Sequence, residues 1–197
     1  ATLTGEAIAS EQISKDPHLE QLLCDAHQGT WFVMQGVDNA VATTSGARPG
    51  DPLADIVFNM LMARIIRTIR SEAEAQGVLT EVTLPNSGKI FHTHGEISQQ
   101  ISIMESVFAD DGGYVVADPD AQQMIEKIVV QARIVHHVSV EFGLVINYKA
   151  GKSEAMLSFR GSNSKQVKIK VLIESQGMLK IDDTHVLRVT DLYKYLG

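Results

Sequence analysis

Two long stretches of the chain repeat their apolar positions at helical spacing. In LADIVFNMLMARIIRTIRSEAEAQG, Ile56, Met60, Ala63 and Ile66 recur every three to four residues with Val57 and Leu61 beside them. That period predicts an amphipathic helix, and Gly77 offers its stop. In DPDAQQMIEKIVVQARIVHHVSVEFG, Met124, Ile128, Ala132 and Val135 form the stripe. Asp118 or Asp120 can accept the first free backbone N–H groups there, and Gly143 ends the run. Shorter helices are expected over residues 5–14 and 17–28, where Pro17 suits a first turn and Leu19, Leu22 and Leu23 share a face. SKQVKIKVLIESQG reads as a last helix.

Between these lie short apolar runs bounded by turn residues. TWFVMQG and AVATTSG read as two strands about a VDN turn. VTLPNSGKIFHTHGE reads as a turn-rich hairpin or loop, with Asn86-Ser87-Gly88 at its bend. SIMESVF and YVVA are strand-like and joined by Ala109-Asp110-Asp111-Gly112-Gly113, and EAMLSF, MLKID, HVLRV and LYKYLG complete the set. Helices and hairpins in mixed order predict an α+β fold, an antiparallel sheet with helices packed on one face. No repeat, low-complexity tract or interdomain linker interrupts the 197 residues, a length that suits one domain.

Composition narrows the classes. Charged residues make up 21% of the chain, which with ordinary apolar content argues against disorder. No apolar run reaches the roughly 18–20 residues of a membrane span, and no basic-then-apolar signal pattern opens the chain. The lone Cys24 forms no internal disulfide and suits a reducing, intracellular setting. The formal net charge of −7 argues against general polyanion binding, yet basic residues cluster locally. Arg64, Arg67 and Arg70 form one group, and Lys149, Lys152, Arg160, Lys165, Lys168 and Lys170 another. Each is either a solvated face or a phosphate-contacting patch. The chain begins at Ala1 without an initiator Met and stops in the strand-like DLYKYLG, so an excerpt from a longer polypeptide is expected.

The chemistry concentrates in two places. Asp110-Asp111 sits between an apolar run and Gly112-Gly113. Asp-Gly is a common hairpin turn signal, and paired carboxylates are also what a hard cation such as Mg²⁺ recruits beside substrate phosphates. His92, His94 and Glu96 alternate, so on a strand they would share a face and offer Zn²⁺ the three ligands of a metal-dependent hydrolase, with His136-His137 as a second cluster. The other reading of that segment is an exposed hairpin insert. No nucleophile-elbow serine or paired Cys-His motif is present.

SGARPGDPLADIVFNMLM, FADD, GLVINYKAGKSEAML and LYKYLG follow one another in the chain. From about Trp31 to Gly197 this order resembles the palm of reverse transcriptases of the non-LTR retrotransposon and group II intron type. The resemblance implies a fragment of a retroelement RNA-directed DNA polymerase, acting on an RNA template, a DNA primer and dNTP with Mg²⁺ or Mn²⁺. It makes Asp110 a principal metal ligand and Asp111 its neighbour in the active site. Arg48, Pro49, Gly50 and Asp51, running into Phe58 and Asn59, take the place of the loop and helix that contact template and incoming nucleotide. Gly143-Leu144, Asn147 and Lys152-Ser153-Glu154 match the next motif, whose lysine lies near the triphosphate as charge neutraliser or general acid. Read alone, Lys152 is equally a solvated loop lysine. LYKYLG matches the primer-grip strand.

Two departures stand out. Pro49 replaces the family's usual Gln, removing an N–H and an amide. The family's third catalytic aspartate, on an earlier palm strand, has no counterpart: Asp16 and Asp25 lie in helical stretches and Asp38 in a turn. The resemblance therefore implies a palm with part of the fingers, the first motif lying upstream and the thumb downstream, inactive by itself. The alternative is a decayed or domesticated palm serving as a non-catalytic binding module for nucleic acid or protein.

Overall fold

The structure, a computed structural model, describes residues 16–27, 29–33, 35–36, 39–42, 52–85, 98–103, 105–108 and 111–190. The chain divides into two compact units, Ala1–Thr68 with Val138–Leu144, and Ile69–His137 with Val145–Gly197. Among the described residues no helix is long and apolar enough to cross a membrane. The helix expected over 5–14 and the strand LYKYLG lie outside the described residues.

In the first unit, helix α1 (Pro17–His27) opens on the expected proline, and Asp16 Oδ1 accepts the His18 N–H at 3.0 Å. Strands β1 (Trp31–Phe32) and β2 (Val41–Ala42) pair antiparallel, Trp31 opposite Ala42. Helix α2 (Pro52–Ala75) contributes its residues up to Thr68. Its buried row is Val57, Leu61 and Ile65, continued in the second unit by Ile69 and Ala73. The sequence places the stripe one residue away, yet Ile56 is 46% exposed and Ala63 is exposed. So many apolar residues occupy this helix that two adjacent rows satisfy helical spacing, and the uninterrupted i, i+4 ridge is the one that packs.

In the second unit α2 ends where Gly77 takes φ 66°, allowing Val78 N–H to reach the Ala73 carbonyl at 3.0 Å. Strand β3 (Thr80–Pro85) pairs antiparallel with β4 (Ser98–Ile103), Thr80 opposite Ile103 and Pro85 opposite Ser98. Strand β5 (Glu105–Phe108) pairs antiparallel with β6 (Asp111–Tyr114). Beyond Tyr114 the expected strand stops, because the buried Thr80 hydroxyl donates to the Val115 carbonyl at 3.1 Å and accepts the Ala117 N–H at 3.0 Å.

Helix α3 (Ala121–Glu141) starts at its Asp120 cap, whose Oδ1 accepts the N–H groups of Gln122 at 2.8 Å and Gln123 at 3.1 Å. Strand β7 (Glu154–Met156), helix α4 (Ser164–Ile169) with a π-helical turn at Lys170–Glu174, and strands β8 (Met178–Lys180) and β9 (Val186–Thr190) follow. The sheet order is β7-β9-β8, with β8–β9 antiparallel and β7–β9 parallel. That parallel pair departs from the expected antiparallel sheet: α4 carries the chain across before the β8–β9 hairpin returns it beside β7. Ala121, Met124 and Ile125 from α3 meet Val167, Val171 and Leu179, with Leu187 and Val189 of β9 packed against them. The observed class is α+β, helices with small, mostly antiparallel sheets.

Two carboxylates at the start of α3 make this unit acid-sensitive. Asp118 is held below the usual carboxylate range first by the Asp120 N–H and then by Lys127. Asp120 is lowered first by the Ser162 hydroxyl and then by the Gln123 N–H. A depressed folded pKa stabilises the fold above the unfolded value of about 4 and ceases to do so as pH falls through the folded value. The melting temperature is expected to fall as pH drops below about 4, and Asp120→Asn should make that fall shallower in circular-dichroism melts. An equally steep profile in the variant would remove Asp120 from the account.

Candidate functional site

The β5–β6 hairpin is shorter than the sequence suggests. Phe108 pairs directly with Asp111, Val107 with Gly112 and Ser106 with Gly113, so three residues of the expected five-residue connection are strand. Asp111, Gly112 and Gly113 belong to β6. A Cβ built on Gly112 would stand 3.4 Å from Tyr114 Cε2, an ordinary van der Waals contact. Burial, with Glu105 opposite, pushes the Tyr114 hydroxyl up to about 12, so it stays protonated. Glu105 Oε1 accepts from Arg70 Nη2 at 2.6 Å. The first residue of β6, Asp111, is exposed and pairs with Phe108 at the end of the two strands. Asp110 lies outside the described residues.

No family model, no curated protein and no solved structure matches the chain.

The remaining sequence candidates divide as follows. Phe58, half-buried, and Asn59, exposed, lie on α2 in the first unit, whereas Arg48, Pro49, Gly50 and Asp51 lie outside the described residues. Lys152 is exposed in a tight loop of the second unit: its N–H donates to the Lys149 carbonyl, Ser153 N–H to the Asn147 carbonyl, each at 3.0 Å. Glu154 closes the loop by accepting the Gly151 N–H at 2.8 Å. Each of the three arginines has a local partner. Arg64 stands 5.5 Å from the Phe142 ring centre, Arg67 Nε donates to the Ala63 carbonyl at 3.2 Å, and Arg70 pairs with Glu105. His92, His94 and Glu96 lie outside the described residues.

The sequence singles out only one member, His136, of a second cluster. His136 on α3, Tyr148 after it, and Asp182, Thr184 and His185 in the β8–β9 turn converge within the second unit. The two imidazole rings stand 4.3 Å apart between centres. Tyr148 Oη lies 3.2 Å from His136 Nδ1. Asp182 Oδ1 accepts the N–H groups of Thr184 and His185, both at 2.7 Å, and the Thr184 hydroxyl at 2.9 Å. Asp182 Oδ2 lies 2.9 Å from His185 Nδ1. These donors, the Thr184 N–H first and His185 next, hold the Asp182 carboxyl far below the usual carboxylate range. Burial, then the Asp182 charge, pushes Tyr148 up to about 12. The only local signal was Asp182-Asp183-Thr184-His185, a side-chain-capped turn between two strand readings; its meeting with His136 is a product of the fold.

Proposed function

We propose that the chain is the palm portion of a retroelement RNA-directed DNA polymerase, and that the β5–β6 hairpin carries its metal-binding aspartates. The observation that carries this reading is the register pairing Phe108 with Asp111, which sets Asp111, the second aspartate of the pair, at the end of the antiparallel strands β5 and β6. Chain order supports it, with the long helix α2 before the hairpin, α3 after it, and the Lys152 loop leading into β7.

Asp110 and Asp111 would hold Mg²⁺, or Mn²⁺ in its place, since an exposed carboxylate on a rigid strand suits a hard cation that keeps several waters. Held there, such an ion would supply charge neutralisation for the displacement. In that reaction a primer 3′-hydroxyl attacks the dNTP α-phosphate and pyrophosphate leaves. Lys152, on its tight loop, neutralises or protonates the departing pyrophosphate. Glycines at 46 and 50 would permit the close backbone approach to nucleotide or template base pair that the proposed reading requires.

Primer extension on an RNA template by the full polypeptide tests the reading. Incorporation of dNTP that starts with Mg²⁺ and stops with chelator is the expected result. Primer–template binding without incorporation would replace it with the non-catalytic module, which Pro49 at the family's Gln position favours.

A further inference from the structure

We propose that His136, Asp182 and His185 form a site for a divalent transition-metal ion of the Zn²⁺ class, which clips the β8–β9 turn to helix α3. The site is independent of the polymerase reading. Each residue offers one donor atom, and these atoms lie within 4.8 Å of one another. Metal–ligand distances of about 2.1 Å set neighbouring donors of a tetrahedral shell roughly 3.4 Å apart, so closure takes side-chain shifts on the order of 1 Å.

Donor chemistry selects the metal. Two imidazoles and one carboxylate suit Zn²⁺ and its neighbours, whereas Mg²⁺ and Ca²⁺ want shells of oxygen. The fourth position falls to water. Asp182 divides its oxygens: Oδ1 takes the turn's backbone and hydroxyl donors, while Oδ2 faces only His185 Nδ1, at 2.9 Å. On binding, the ion takes the place of the proton between Oδ2 and Nδ1, and His185 keeps its proton on Nε2 instead. His136 turns Nδ1–H to the Tyr148 hydroxyl and its Nε2 to the ion. That is the outer hydrogen bond that metal-binding histidines characteristically make.

Both walls of the site stand without the metal. Arg133, one turn before His136 on α3, donates from Nε to the Ile181 carbonyl. Ile181 is fully buried, and its N–H reaches the His185 carbonyl at 3.0 Å. The turn is thus fixed against the helix face that carries His136, the preorganisation a metal site needs.

Calorimetric titration of chelator-treated chain with Zn²⁺ tests the proposal, with His136→Gln, His185→Gln and the His92→Ala/His94→Ala double variant alongside. One equivalent is expected in the wild type and the double variant, with affinity at least tenfold weaker in the other two. Zn²⁺ should raise the melting temperature of the wild type and leave His185→Gln unchanged, because a ligand that binds only the folded state stabilises it. His185→Gln, altered in the turn, decides the matter should His136→Gln fail to fold. No saturable uptake, uptake unchanged by His185→Gln, or uptake lost in the double variant would overturn the site; the last would move the metal to the His92 segment.

Discussion

Replacing Asp110 or Asp111 with Asn is expected to lower dNTP incorporation by the full polypeptide about 10³-fold, the scale on which loss of one electrostatic stabiliser of a transition state registers. The change is nearly isosteric. It removes a full negative charge and a hard oxygen donor where the proposed polymerase would hold a cation against repelling phosphates. Stability should hardly move with Asp111→Asn, within about 0.5 kcal/mol, as for other exposed substitutions. Its carboxylate is exposed, and its pairing with Phe108 runs through the backbone. Single-turnover incorporation rates and urea midpoints, measured on the same preparations, separate the two effects. Equal rates in wild type and Asp110→Asn would remove the metal-ligand assignment.

Gly161→Ala should cost stability heavily. Gly161 has φ 77°, and an added Cβ would stand 2.0 Å from the Pro119 carbonyl oxygen, an overlap that backbone must move to relieve. What would move is the junction that starts α3. Ser162 N–H donates to the Pro119 carbonyl and Ala121 N–H to the Ser162 carbonyl, each at 3.0 Å. The Ser162 hydroxyl and the Asn163 amide reach Asp120 Oδ2 at 2.8 and 2.5 Å. Left-handed backbone in a non-glycine residue costs about 1–2 kcal/mol, and the collision brings the expected loss to about 3 kcal/mol or more. Gly151→Ala is the matched control: φ is 75°, but nothing lies within 4 Å of its added Cβ. Urea denaturation should show the control losing only the backbone share. Equal losses would mean that conformation, and not close approach to Pro119, sets the need for glycine.

The sequence made helix existence legible and packing direction less so. Period and glycine stops located α2 and α3, whose ends at Gly77 and Gly143 take the expected positive φ. The packed face of α2 was displaced because its apolar residues fill two neighbouring rows, and only tertiary contact chooses between them. Local pattern also missed pairings made at a distance: β7 beside β9, Thr80 with Val115 and Ala117, and Asp120 with Ser162 and Asn163. At the candidate sites the contrast is sharper. Asp110-Asp111 could be singled out because both carboxylates are adjacent in sequence and the turn residues surround them. Of His136, Asp182 and His185 only His136 could, beside His137, because a helix and a distant hairpin turn supply the donors and neither carries a motif alone.

Mn²⁺ uptake by the Zn²⁺-saturated chain, followed by loss of the free-ion EPR signal with primer–template and dNTP present, tests the hairpin assignment most directly. Saturation with Zn²⁺ keeps the His136 site from contributing. Wild type is expected to take up Mn²⁺, His185→Gln to match it, and Asp110→Asn/Asp111→Asn to bind at least tenfold more weakly. Equal uptake by the double aspartate variant would contradict the claim that this hairpin holds the metal.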